Sequence, residues 1–526
     1  MIGPYFTKYS ASELMAMGGD SRITLKDESS LNTYGHAPFP KFSVSYSSCT
    51  SNTISTSAYA YVESYLNVLQ HQHRESLTSA VFIEEFEKIR KKVAIYYELH
   101  PDVEMVFGSS GTDIELIQLA LSLEYQKPVH NIVLASNEVG SGIEQASKGR
   151  YFSDSTPKGT RCKPGESIAG FHAGMISTAN IEIRHKDGSV RDEGAIYADF
   201  CAETEQAIDQ GKRVIIHTIH RTKTGLITPE IEQIKQLVKS YGDHVDVVVD
   251  CCQGRVSIRR VNDYLNLGAS VLLTGSKFYS GPPFSGLLLL PRGQYEHPLD
   301  VIKYPGLKDF FSVAELPLSW QKDFTNDTNE HNNLGLLLRW KAAVYEMNKV
   351  FLVPNKRIEF VINSFTCAAR EMIVESGFCE EISASSQTEE DADPGNTISP
   401  FELNSIITLS IRKLDGSFLN LDDAKLIHKA LYTDLRKCLD TKAKLASAIV
   451  QLGQPVKVFR NVDNAWSATL RLALSSNMIG ELGLLDDDII HMRFKSDMHM
   501  IHDKLALILN QFDVLKRCQL FYESKV

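Results

Sequence analysis

The segment 245–290, VDVVVDCCQGRVSIRRVNDYLNLGASVLLTGSKFYSGPPFSGLLLL, restricts the fold more than any other stretch. Its first apolar run, 245–249, is broken only by Asp246, the pattern of a strand buried on both faces of a parallel sheet. Asp250 closes that run, at the strand end where open α/β sheets bind ligands. A second run, 270–273, leads into Thr274-Gly275-Ser276-Lys277, and a third, 287–290, follows a Gly/Pro-rich turn. An acid and an amine are therefore expected at neighbouring strand ends. A buried lysine is costly unless its pKa falls or it is covalently engaged, so Lys277 needs a chemical role.

The ordered set Asp250-Cys251-Cys252-Gln253, Thr274-Gly275-Ser276-Lys277 and Phe278-Tyr279-Ser280-Gly281-Pro282 resembles pyridoxal-phosphate (PLP) enzymes of fold type I. Within them it resembles the class V aminotransferase and cysteine desulfurase group. The resemblance implies pyridoxal 5'-phosphate as cofactor, with Lys277 forming the Schiff base. Asp250 would pair with the pyridinium nitrogen, Gln253 would contact the ring hydroxyl, and Thr274 and Ser276 would join the cofactor site. A carboxylate beside the ring nitrogen keeps it protonated, so that the ring accepts electrons from a substrate carbanion. A desolvated lysine near a cationic ring is the stronger nucleophile.

The implied fold is α/β: a large domain with a mostly parallel seven-stranded sheet between helices, plus a smaller α+β domain. The 526 residues suffice for both. The expected division is an N-terminal segment, 1–75, packing on the small domain or a dimer interface, a large PLP-binding domain, 76–325, and a small domain, 326–526. A charged fraction of 23% and a net charge of −10 give no basic footprint, which disfavours nucleic acid as a partner. No run reaches the ~18 apolar residues of a membrane span, and MIGPYFTKYSASEL lacks the order of a signal peptide. Nine cysteines without a Cys-x-x-Cys pair argue against a disulfide framework and a structural zinc site, so a reducing, cytoplasmic location is expected.

Along the chain, Ser/Thr/Gly-rich loops precede a helix at 57–70, and Ile83, Phe86, Ile89, Val93 and Tyr97 recur at helical spacing in 79–98. In VEMVFGSSGTDIELIQLALSL a strand runs through a small-residue loop into a helix starting near Asp113. Helix-start amides form an anion site, which the resemblance assigns to the cofactor phosphate at Gly111 and Thr112. At Glu138-Val139-Gly140 the family commonly supplies a ring over the cofactor. This chain has none there, leaving Val139 as an apolar contact or a ring arriving from His217 or His220. Segment 150–185 reads as a long excursion that shapes the substrate mouth or is an ordinary insertion. A helix at 198–210 and a strand at 213–216 follow. In HTIHRTKTGLITP, Thr222 takes the place of the family residue that contacts the ring hydroxyl. His217 and His220 lack a third ligand at convincing spacing, so no metal is expected.

Beyond 290 a long helix is expected at 333–350, a polar surface loop at 383–400, and a small-domain strand at 404–412. Cys379 precedes that loop and is either the counterpart of a desulfurase persulfide cysteine or a buried thiol. Arg471, on an alternating strand in 467–477, matches the family's arginine for the substrate α-carboxylate, a role suited to a planar guanidinium. A tail helix is expected from His499. The leading reading is thus a PLP-dependent transferase acting on an amino acid through a Lys277 aldimine, aminotransferase-like, with a homodimer implied by resemblance. The rivals are a PLP-dependent lyase or C–C bond-forming enzyme, desulfurase included, and a catalytically silent binding protein of the same fold. A dinucleotide-binding oxidoreductase is disfavoured, since no Gly-x-Gly-x-x-Gly opens a helix after the first strands.

Overall fold

The computed structural model describes residues 8–26, 30–73, 77–135, 138–140, 142–291, 293, 299–300, 302–321, 332–382, 399–460 and 466–518. Among the described residues there are thirteen strands, numbered in chain order. Eight of them build the large sheet: β2 (Glu104–Gly108), β3 (Val129–Leu134), β4 (Ile176–Ile181), β5 (Arg213–His220), β6 (Ile227–Thr228), β7 (Val245–Asp250), β8 (Ser270–Thr274) and β9 (Gly286–Leu290). The path is β2-β9-β8-β7-β5-β3-β4, with the short β6 folded back on β5. β3, β4, β5, β7 and β8 pair in parallel, and β9 alone on the path runs against its neighbours β8 and β2. All residues of β5, β8 and β9 are buried, as befits strands covered on both faces of the sheet.

Asp246, the exception within β7, is fully buried yet answered. Arg213 on the adjacent β5 contacts it at 2.6 and 2.7 Å, and Ser122 Oγ donates to it at 2.6 Å. This cluster lies at the opening ends of the strands, away from the site.

The smaller sheet has the order β1-β12-β13-β11-β10, from β1 (Val44–Tyr46), β10 (Cys379–Ile382), β11 (Ile406–Ile411), β12 (Val450–Arg460) and β13 (Trp466–Ala473). The N-terminal segment thus contributes an edge strand, Val44–Tyr46 pairing in parallel with Val450–Leu452. Pro455 falls where the β12–β13 register shifts, the kind of irregularity a residue without an N–H requires. Helix Leu334–Phe351, capped by Asn333, packs against helices Thr56–Gln72, Ser79–Tyr96 and Ser476–Leu482.

Several sequence expectations are corrected. The excursion 150–185 contains β4, which is an edge strand mostly half-buried and so lacks an apolar run on both faces. Helix Glu193–Asp209 begins before 198, because Asp192 caps it by accepting from Ala195 N. The tail helix spans Asp487–Asn510, starting well before His499. Cys438 and Cys518 are joined in a disulfide, against the expectation drawn from cysteine spacing: tertiary folding brings together two cysteines 80 positions apart. Most of the polar loop expected at 383–400 lies outside the described residues. Among the described residues no helix is long and apolar enough to cross a membrane.

Candidate active site

The strand register converges on Gly286. Gly108 pairs with it from β2 and Thr274 from β8, so the loop after β2 and the loop carrying Lys277 flank the start of β9. Asp250 pairs with Leu272 of β8 and Ile219 of β5, one strand further along the same edge. Between these ends lies a cavity of about 140 Å³, whose wall includes Gly111, Thr112, Asp250, Thr274, Ser276 and Lys277. The acid, the amine and the helix start read from sequence therefore face one space.

The Lys277 loop is tied at several points. Gly275 N donates to Ser285 O (2.8 Å), Ser280 N to Lys277 O (3.0 Å) and Gly281 N to Gly275 O (2.9 Å). Asn52 of the N-terminal segment donates to the carbonyls of Ser276 and Lys277. Gly275 is needed for contact: a Cβ there would stand 2.5 Å from Ala343 Cβ on helix Leu334–Phe351.

At the other flank, Ser110 Oγ caps helix Gly111–Leu123 by accepting from Asp113 N (3.2 Å). The first helical amides have no intrahelical acceptor, so Gly111 and Thr112 present donors to an anion. Burial, and then the charge of Asp20, push the Asp113 carboxyl up to about 7. Glu115, one turn in, also lines the cavity, and burial followed by the Asp250 charge drives its carboxyl well above the usual range. His217 Nδ1 stands 3.4 Å from Glu115 Oε2, and neither that oxygen nor His217 Nε2 has a hydrogen-bond partner. Burial drops the His217 ring to about 3, so it is neutral. Ser285 Oγ on the same wall is likewise buried without a partner.

Val139 lies on the wall beside Gly140 and Ile143. Its neighbour Glu138 is buried and held by Arg184 and Thr224 Oγ1. Of the two histidines considered for a ring, His217 reaches the cavity. His220 instead meets Tyr264 OH (3.0 Å) and Glu402 (3.2 Å).

Three expected site residues stand behind the wall. Thr222 Oγ1 accepts from Thr224 N and Leu226 N within its own turn. Gln253 Nε2 donates to Cys49 O (3.2 Å). Arg471 is sealed: Nη1 donates to Lys223 O (3.3 Å), Nη2 to Gln454 O (2.6 Å) and Thr50 Oγ1 (3.2 Å). Cys49, Thr50, Lys223 and Gln454 themselves line the cavity, so Gln253 and Arg471 brace the wall from outside.

Sequence reasoning missed Arg22, Tyr34, Glu115 and Lys223, all on the wall. Glu115 left a signal, a second charge two residues after Asp113 in a largely apolar helix, and Lys223 lies beside Thr222 in a stretch already singled out. Arg22 and Tyr34 left none. Arg22 pairs with Asp20 and lies over the Phe284 ring at 4.6 Å, while Tyr34 meets that ring edge-on at 5.8 Å.

Comparison adds little to this geometry. Among solved structures the chain is similar to a NifS-like protein (13% identity, covering 88% of this chain and 99% of that one, TM-score 0.48). It is similar to Oryza sativa TDC with PLP and tryptamine (12%, 89% and 83%, 0.49) and to the cysteine desulfurase CsdA from Escherichia coli (13%, 90% and 96%, 0.49). At these values the likeness carries no argument. No family model matches the chain, and no curated protein matches it. The architecture is α/β, as expected from the sequence: a mostly parallel sheet whose path takes seven strands, with a smaller mixed sheet beside it.

Proposed function

We propose that the chain is a PLP-dependent enzyme acting on an amino acid, aminotransferase-like in its reaction. One observation carries the reading: Asp250, Lys277 and the open amides of Gly111 and Thr112 face a single cavity. The donor set fits the group. Helix-start amides suit a phosphate, Asp250 suits a protonated ring nitrogen, Val139 offers an apolar face, and the unpartnered Ser285 hydroxyl and His217 Nε2 await polar contacts. When bound, PLP supplies a conjugated, electron-accepting aldehyde that stabilises negative charge at an amino acid's Cα. The residues of this chain do the rest. Asp250, on the cavity wall beside Glu115 and His217, would hold a proton on the ring nitrogen. Lys277 Nζ would hold the aldehyde carbon and would serve as the base that moves the proton at substrate Cα.

Cleavage of a C–S bond through a persulfide on Cys379 is not supported. That thiol lies in β10 rather than on a loop, and burial pushes it up to about 12. A homodimer, with the Tyr279–Phe284 turn near the partner's site, and a cytoplasmic location belong to the same proposal.

The test is optical. Purified protein given PLP should acquire a visible absorption band that survives dialysis, and Lys277→Ala should lack it. A wild type that stays colourless, or a Lys277→Ala protein with the wild-type band, would overturn the assignment. Keto acid released from an amino acid marks amino transfer; sulfide or a decarboxylated amine marks a lyase.

A further inference from the structure

Lys223 sits at the tip of the β5–β6 hairpin with its backbone clamped on both sides. Its N–H donates to Glu138 O (3.1 Å), and its carbonyl accepts from Arg471 Nη1 (3.3 Å). The hairpin is closed by Thr222 N donating to Leu226 O (2.7 Å). From that fixed point the side chain opens on the cavity.

Apart from Lys277, the other cations around the cavity are engaged: Arg22 is paired with Asp20, Arg184 with Glu138, and both terminal nitrogens of Arg471 donate to two carbonyls and a hydroxyl, its buried Nε alone lacking a partner. Arg255, deeper in, donates to Ser405, Ser48, Gln253 and the Leu474 carbonyl. Glu138, the one carboxylate whose charge favours the Lys223 cation, is engaged by Arg184 and Thr224. Burial, then the charges of Arg471 and Lys277, bring the Lys223 amine down to about 7. A desolvated ammonium without a counter-ion is costly, and an arriving anion removes that cost.

We propose that Lys223, rather than the sealed Arg471, forms the direct ion pair with the α-carboxylate of the amino-acid substrate. This rests on the function proposed above. Lys277 acts on Cα, and Lys223 lines the same cavity, so the carboxylate one bond from Cα is the group that meets it.

The test uses carboxylates without an amine, which cannot react with an aldehyde: propionate and succinate. Their affinities are measured by calorimetry for wild type, Lys223→Met, Lys223→Gln, Lys223→Arg and Arg471→Gln, each with and without PLP. Wild type is expected to bind propionate. Lys223→Met and Lys223→Gln should bind it at least about tenfold more weakly, and Lys223→Arg should recover most of the loss. Circular dichroism identifies any variant that has not folded, and the near-isosteric Lys223→Gln then stands alone. The proposal is overturned if wild type binds neither carboxylate, if neutral variants bind propionate like wild type, or if Arg471→Gln alone abolishes binding. A loss confined to succinate also overturns it, by moving Lys223 to a substrate side chain. Propionate binding that depends on Lys223 in a protein that never colours with PLP would sink the cofactor reading and leave the anion site standing.

Discussion

Asp246 and Asp250 belong to one strand and do opposite work. Asp246 is locked between Arg213 and Ser122 inside the sheet, whereas Asp250 opens on the cavity with Cys252 N (2.8 Å) on one oxygen. Removing Asp246 leaves a buried guanidinium without its carboxylate, though still over the Tyr125 ring at 3.5 Å and still donating to the Asp243 carbonyl. Asp246→Ala should therefore cost about 3–5 kcal/mol in denaturant unfolding. A loss under about 1 kcal/mol would show that the pair is not desolvated as drawn. Asp250 and Lys277 were legible from sequence because each is a charge ending an apolar run. Arg22, Tyr34 and Lys223 were not, since their place on the wall is set by contacts between distant segments, which no local pattern encodes. Gln253 and Arg471 illustrate the converse: both occupy motif positions, and both turn out to hold the wall rather than form its surface.

The N-terminal segment is fastened by buried histidines. His36 Nε2 meets Ser47 Oγ and its Nδ1 meets Ser51 Oγ, both at 2.8 Å, while His428 Nε2 meets Leu452 O on β12 at 3.1 Å. Burial, and for His36 also the neighbouring His428, lowers them to about 3 and about 4. Unfolded histidine titrates near 6.5, so above that pH neither state is protonated and the stability is whole. As pH falls from about 6.5 toward 3–4 the unfolded chain takes up protons that the folded one refuses. Stability is then lost at about 1.4 kcal/mol per pH unit for each ring. Melting followed from pH 7 to pH 4.5 should fall less steeply in His36→Gln than in wild type; parallel slopes would refute the linkage. The strands of the large-sheet centre were readable because both faces are apolar. β1 and β4 were not, being edge strands whose half-exposed residues carry no such run.

Across the whole molecule, the disulfide Cys438–Cys518 closes a separation of 80 residues and ties the tail to the small sheet's layer. A loop of that size constrains the unfolded chain, so Cys518→Ser should lower stability by about 2–4 kcal/mol under oxidising conditions. Alkylation without reductant should leave Cys438 unlabelled in wild type and label it in Cys518→Ser. Labelling of both cysteines in the wild type would show that the bond does not form. Cysteine spacing hid this pair because its partners meet only through tertiary folding. Overall class, by contrast, was plain from one segment, since parallel strands with charges at their ends leave few architectures open.

The pairing of Val44–Tyr46 with Val450–Leu452 also sets a timetable. Arg22, Tyr34, Cys49 and Thr50 reach the cavity from a stretch anchored to strands translated some four hundred residues later. On the ribosome the central sheet can gather early, but the pocket stays open on that side until β12 and β13 emerge. A nascent chain stalled before residue 450 should therefore be unable to retain a small molecule there, however well its large sheet has formed.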